Sequence, residues 1–354
     1  MKKKSSLLKK LYQAFKFIFK LANQSQKMDY YFQVETFARS LGKLHFTQEG
    51  ASEEKKRDFF KNQLSVVEIE THAFCNRVCS FCPNSQVNRF DKSQIMPEHI
   101  FKKIIDELSL LGYRGIIQLH RYNEPLASEL IFDRINYARK KIPYASIGFH
   151  SNGDYLTKEK LTLLEESGLD FIMVTLYINF DLDKKMQYEI AKKQCEDFIR
   201  KHDLEVKQVD SEGSLIRYLI PMKRMRVHVF VPDIEHQLVD RGGVIKSFSN
   251  GARISPCESP FRKLLIDWTG DVLPCCNLRG DIKLHQPYIL GNLKEFTLQE
   301  IFYRDIINKL RTHLADFNEK QGACQTCQFA TFVYSRQAEA LINKTLKRLA
   351  GYEK

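Results

Sequence analysis

Cys75, Cys79 and Cys82 stand together in the run ETHAFCNRVCSFCPNSQ, and the next cysteine along the chain is Cys195. This C-x3-C-x2-C spacing gathers three soft thiolates on one short loop, a donor set suited to zinc or to an iron–sulfur cluster. A structural zinc site closes with a fourth ligand, for which His72 is near enough in sequence. A four-iron cluster held by three cysteines instead keeps one iron open to another molecule. Five more cysteines gather in the last third of the chain: Cys257, Cys275 and Cys276 in SPCESPFRKLLIDWTGDVLPCCNLRGD, and Cys324 and Cys327 in GACQTCQFA. Four thiolates drawn from a hairpin and a distant C-x2-C can close a four-cysteine site around a cluster or around zinc. Adjacent side chains in a strand point to opposite faces, so one of Cys275 and Cys276 is excluded from it. Cys195, alone in a helical pattern, reads as a buried small hydrophobe.

Chemistry on such loops needs a scaffold that holds them. SVVEIET (65–71), rich in Val and Ile, predicts a strand that leads directly into the first cysteine loop. The helical pattern EHIFKKIIDELSLLG follows, then GIIQLHR as a strand, ASELIFDRINYARKK as a helix, ASIGFHS as a strand and KEKLTLLEESG as a helix ending at Gly168. DFIMVTLYI is a further strand, residues 184–202 a helix and MRVHVFVP another strand. Strands alternating with helices imply a parallel sheet with right-handed crossovers. Five or six such units predict an α/β fold, a partial (β/α)6 barrel of the TIM type, with its chemistry at the carboxyl ends of the strands, where the cysteine loop falls. The predicted organisation is a basic, mostly helical segment over 1–62, the barrel over 63–245, a cysteine-bearing domain over 246–335 and a C-terminal helix over 336–354.

The C-x3-C-x2-C loop, with the aromatic Phe81 just before its last cysteine, resembles the signature of the radical S-adenosylmethionine (SAM) superfamily. The resemblance implies that Cys75, Cys79 and Cys82 hold a [4Fe-4S] cluster whose open iron is chelated by SAM. Cleavage of SAM would then yield a 5′-deoxyadenosyl radical that takes a hydrogen atom from substrate. HRYNEPL follows the second strand, where the family commonly carries a G-E-P-like motif for the methionine amino group. Asn123 and Glu124 occupy it here, with Asn in place of Gly. HSNGD after the third strand is similar to the family's T-N-G segment and implies Ser151 and Asn152 as contacts near SAM, while TLY in the fourth strand puts Thr175 where a hydroxyl meets the ribose. The same residues also suit strand-end turns and helix caps.

The later cysteines resemble the SPASM and twitch extensions of radical SAM enzymes, which hold auxiliary clusters beside the barrel. Two auxiliary clusters need at least seven cysteines after the barrel, and five remain here. The pattern C-x17-C, a long gap and C-x2-C is most similar to the one-cluster form of aminocyclitol-oxidising dehydrogenases, which implies Cys257, Cys275, Cys324 and Cys327 as the ligands of a second [4Fe-4S] cluster. Arg241, sixteen residues before Cys257, lies where that form places an arginine facing the substrate, although it suits a surface ion pair equally. The implied reaction is oxidation of an alcohol on a sugar, aminocyclitol or similar metabolite, with the second cluster accepting an electron. The implied electron donor is of the flavodoxin or ferredoxin type.

Composition sets the outer bounds. The chain has 354 residues, 43% apolar and 12% aromatic, enough to bury a large core. Nine cysteines, an odd number in tight metal-like spacings and without a visible secretory segment, point to a reducing, cytoplasmic compartment. The net charge is +12, and residues 1–21 hold seven lysines and no acid. Leu7, Leu8, Leu11, Phe15, Ile18 and Phe19 recur there at roughly helical spacing, which suits a helix lying on an anionic membrane surface or docked on the protein's own body. Lys16 and Lys20 interrupt the apolar run and argue against a spanning helix. No nucleic-acid recognition module accompanies the basic run, and no specific nucleic acid is expected. Two other readings compete: modification of a peptide or protein side chain, weakened by the lack of a strand-bearing peptide-binding module at the N-terminus, and a zinc-stabilised binding protein without catalysis, which leaves the polar strand ends unexplained.

Overall fold

The computed structural model describes residues 51–211, 214–233, 239–249, 251–329 and 336–349, together with Phe37, Ala38 and Leu41. The basic run at 1–21, and with it the membrane-surface reading, lies outside the described residues. The strands are β1 (Val66–Ile69), β2 (Ile116–Gln118), β3 (Ser146–Ser151), β4 (Phe171–Thr175), β5 (Gln208–Asp210), β6 (Ser214–Pro221), β7 (Arg226–Pro232), β8 (Lys263–Ile266), β9 (Asp271–Leu273) and β10 (Gly291–Asn292). The helices are α1 (Glu53–Gln63), α2 (Glu98–Leu110), α3 (Leu130–Lys141), α4 (Lys158–Ser167), α5 (Lys184–Lys201), α6 (Ser259–Arg262), α7 (Leu298–Tyr303), α8 (Asp305–Leu314) and α9 (Arg336–Leu349). Their ends follow local chemistry. Thr157 caps α4 through Lys160 N, Gly168 closes it at φ +97°, and Asp183 caps α5 through Lys185 N and Met186 N. Among the described residues no helix is long and apolar enough to cross a membrane.

One sheet holds all ten strands in the order β10-β9-β8-β1-β2-β3-β4-β7-β6-β5. From β8 through β1, β2, β3 and β4 to β7 every pairing is parallel, and this run, backed by α2 to α5, is the partial barrel. The hairpin β8–β9 of the later cysteine region pairs along the free edge of β1, so it extends the barrel sheet. The sequence reading assigned no strand between residues 202 and 225. The structure has β5 and β6 there, antiparallel to each other and to β7, with Ile216, Tyr218 and Ile220 buried at every second position.

Period-two alternation divides the parallel strands. Val67 and Ile69 are fully buried on one face of β1, which leaves Glu68 and Glu70 on the other. Glu68 stands in register with Gln118 of β2, and His150 lies near the carboxyl end of β3. A polar wall therefore lines the inside of the barrel where the cysteine loop closes over it.

Candidate active site

The loop after β1 is fixed before any ligand is considered. Cys75 N donates to Arg89 O at 3.0 Å and Cys82 N to Cys79 O at 3.0 Å, which folds the three cysteines into a compact turn. Arg89 holds the loop with its side chain. Its guanidinium meets Glu70 at 3.1 Å, Ala73 O at 3.2 Å and Asp281 at 2.9 Å, while Arg279 bonds Asp281 at 2.6 Å and Asn84 at 2.6 Å. This network ties the first cysteine loop to the segment that follows β9.

The ten residues singled out from the first loop, the strand ends and the DRGG segment all line one cavity of about 420 Å³: Cys75, Cys79, Phe81, Cys82, Asn123, Glu124, Ser151, Asn152, Thr175 and Arg241. Glu124, 2% exposed, accepts from Ser151 Oγ at 2.8 Å, Asn152 N at 2.7 Å and Leu126 N at 3.2 Å. Burial raises its pKa and these bonds oppose the rise. Asn123 accepts from Arg121 N at 3.0 Å and lies 3.4 Å from His72 Nε2. His72 is 4% exposed and does not line the cavity. Phe81 packs on Tyr177 with ring centroids 5.0 Å apart. Among the described residues Arg241 makes no ion pair. Its Nη1 donates to Asn277 Oδ1 at 3.0 Å and its backbone sits at φ +51°, a strained conformation for a side chain with a Cβ.

Sequence reasoning missed much of the lining: Glu68, Gln118, His120, Arg121, Tyr122, His150, Tyr177, Lys263, Cys276 and Phe329 also face this cavity. His120 and His150 stack at 4.6 Å, and burial keeps both neutral, lowering His150 to about 4. One signal was available. A parallel strand is covered on both faces, so a glutamate inside VVEI has to point at something polar.

A second, smaller and mostly apolar cavity is lined by Cys257, Cys275, Cys324 and Cys327 with Pro260, Pro274, Leu278, Leu310, Leu314 and Ala323, and with Arg253 and Asn277 as its polar members. Asn277 Nδ2 lies 3.8 Å from Cys327 Sγ as a donor. Cys275 faces this cavity and Cys276 the first one. Cys195 is fully buried in α5.

The radical SAM superfamily pattern matches residues 69–204, and the SPASM iron–sulfur cluster-binding domain matches residues 257–328. The chain is a radical SAM protein with a SPASM domain. The S-adenosyl-L-methionine-dependent 2-deoxy-scyllo-inosamine dehydrogenase of Niallia circulans is 26% identical over 266 residues, covering 75% of this chain and 92% of that protein. The crystal structure of BtrN in complex with AdoMet and 2-DOIA covers 78% of this chain and 97% of its own at 23% identity and a TM-score of 0.54. That of SeMet BtrN in an open conformation covers 75% and 92% at 22% identity and a TM-score of 0.49. The first of these structures establishes likeness of fold.

A radical SAM protein requires SAM and a [4Fe-4S] cluster, and a SPASM domain binds auxiliary clusters, so the residues can be tested against those groups. Among the described residues no three Cys, His, Asp or Glu side chains converge tightly enough for a single metal ion. Burial pushes the Cys75 thiol up to about 11 and the Cys324 thiol up to about 12, and beside Cys324 the Arg253 guanidinium opposes the rise. The donor chemistry fits three thiolates at an open cavity and four in a closed, mostly apolar one.

Proposed function

We propose that this radical SAM protein oxidises an alcohol on a sugar, aminocyclitol or similar polar metabolite. The observation that carries the reading is the junction at Cys275 and Cys276. Consecutive residues, about 3.8 Å apart at their Cα atoms, face the closed four-cysteine pocket and the open cavity respectively. A substrate in the open cavity would thus lie one peptide away from an electron acceptor. When bound, SAM and the two clusters supply a radical that removes the carbinol hydrogen atom and a site that takes up the second electron. The chain's residues do the rest. Cys75, Cys79 and Cys82 would hold the open cluster, and Cys257, Cys275, Cys324 and Cys327 the closed one. Glu124, Ser151, Asn152 and Asn123 form the polar end that suits the amino acid part of SAM, with Phe81 and Thr175 beside it. Arg241 would orient the substrate, and Glu68 is the carboxylate of the same cavity that can accept the hydroxyl proton. The balance is two electrons and two hydrogens lost from the alcohol, one hydrogen leaving as an atom and the other as a proton.

The 2-deoxy-scyllo-inosamine dehydrogenase relationship supports an aminocyclitol or cyclitol alcohol as the first substrate to try. The test is anaerobic reconstitution followed by incubation with SAM, reductant and candidate cyclitols, sugars and peptides, reading 5′-deoxyadenosine and product mass. Loss of two mass units from a polyol is expected, whereas a cross-linked peptide would replace this function with side-chain modification. A flavodoxin- or ferredoxin-type donor would supply the starting electron. Co-sedimentation with anionic vesicles, lost on deleting residues 1–21, would establish a peripheral membrane contact.

A further inference from the structure

Around Cys276 the open cavity is lined by Arg121, Arg241 and Lys263 facing one carboxylate, Glu68, and Arg241 also acts on Cys82. Among the described residues none of the three cations makes an ion pair. Arg121 Nη2 donates to Leu278 O at 2.6 Å, Arg241 Nη1 to Asn277 Oδ1 at 3.0 Å, and Lys263 Nζ lies 5.5 Å from the Phe329 ring centroid. Glu68 is 6% exposed, and among the described residues its side chain has no hydrogen-bond partner. The cysteine end differs. There Arg77 is matched by Asp154, and Glu124 accepts from Ser151, Asn152 and Leu126. The guanidiniums that brace the cysteine loop, Arg89 and Arg279, are likewise paired with carboxylates. Three cations against one carboxylate leave an excess of positive charge where a substrate would reach.

We propose that the molecule oxidised in this cavity carries an anionic group, a phosphate or carboxylate, held by Arg121, Arg241 and Lys263, with Glu68 receiving one of its hydroxyls. The proposal rests on the functional reading above for one point, that substrate occupies the open cavity. Guanidinium and ammonium groups without carboxylate partners favour a bound anion, and low-dielectric walls strengthen the attraction. An amine on the substrate would face three like charges and have Glu68 alone as its partner. Arg121 and Arg241 are anchored by the adjacent residues Leu278 and Asn277, so their positions are set before a ligand arrives.

The test compares glucose, glucosamine and glucose 6-phosphate, one neutral, one cationic and one anionic hexose, by equilibrium dialysis against the reconstituted full-length protein with SAM present. Glucose 6-phosphate is expected to bind at least about tenfold more tightly than glucose, and glucosamine most weakly. Lys263→Gln and Arg121→Gln should each weaken the phosphate ester by about tenfold while leaving glucose unchanged. Glu68→Gln should tighten it. Opposite signs from three neighbouring side chains cannot arise from general loosening of the fold. Equal affinities, a preference for glucosamine, no measurable binding of glucose 6-phosphate, or a phosphate preference that survives both cation variants would each overturn the proposal. So would cation variants that change only iron content, since those charges would then be balancing the thiolate sites. Binding is read without turnover, so the two readings fail separately. Phosphate preference without loss of two mass units would sink the oxidation alone, and oxidation of a neutral alcohol with no such preference would sink the anion assignment alone.

Discussion

Replacing Cys275 and Cys276 one at a time should give opposite results from chemically identical changes. Cys275 shares its pocket with Cys257, Cys324 and Cys327, and Cys276 shares the other cavity with Glu68, Arg241 and Lys263. A reconstituted chain with two four-iron clusters holds about eight irons and eight sulfides, so Cys275→Ala should retain about four of each. The apolar wall of Pro260, Leu310 and Leu314 offers no substitute ligand for the vacated corner. Because a ligated metal site contributes directly to folding, Cys275→Ala should also lower the melting temperature. Cys276→Ala should keep about eight irons, since it removes no ligand from either set. Iron and sulfide assays with electron paramagnetic resonance spin counting on both variants give the answer. Loss of iron from Cys276→Ala with retention in Cys275→Ala would refute the assignment, and full retention in both would show that either thiol can serve.

Glu124→Gln keeps the size of the side chain but removes the charge that faces the polar end of the cavity. It should raise the SAM concentration needed for half-maximal 5′-deoxyadenosine formation by about tenfold or more, a charged hydrogen bond contributing roughly 1.5–3 kcal/mol; an unchanged requirement would remove Glu124 from SAM binding. Arg89→Met leaves Glu70 buried without its cation and should cost roughly 3–5 kcal/mol in urea unfolding of the metal-free protein, whereas a loss under about 1 kcal/mol would mean that the ion pair does not brace the loop. His72, 4% exposed, has its pKa lowered to about 4, chiefly by burial. Its folded pKa lies below the unfolded value, so stability is intact at pH 7 and is lost as the unfolded chain alone takes up a proton. The loss should be roughly 2 kcal/mol between pH 7 and pH 5. Urea titrations should show that His72→Gln removes this part of the slope, and an unchanged slope would contradict it.

The cysteine sets and the strand order β1 to β4 were legible in the sequence because their signals are local. Thiol spacing is read within a dozen residues, and helices with a clear stop such as Gly168 separate the strands. Arg121 and Lys263 were not legible, and Glu68 was so only through the rule that a parallel strand is covered on both faces. A single charge in or beside a strand looks the same whether it faces solvent or the barrel interior, and only the pairing of β8 with β1 brings Lys263 beside Glu68's strand. The β6–β7 hairpin escaped notice because its turn, Met222 to Met225, carries no Gly, Asn or Asp, although Ile216, Tyr218 and Ile220 alternate cleanly. The choice between Cys275 and Cys276 needed the path of the chain beyond β9. Both lie past the end of β9, where strand alternation no longer applies, and nothing local said which way each faces.

The central claim is that one thiolate set faces a cavity where SAM binds and the other is closed. Electron paramagnetic resonance of the reduced, reconstituted protein with and without SAM tests it most directly. Two cluster signals are expected, of which SAM alters one, and the altered signal should vanish when Cys75, Cys79 and Cys82 are replaced together by alanine. A SAM-dependent signal that persists in that triple variant, or two signals indifferent to SAM in the unaltered protein, would contradict the account.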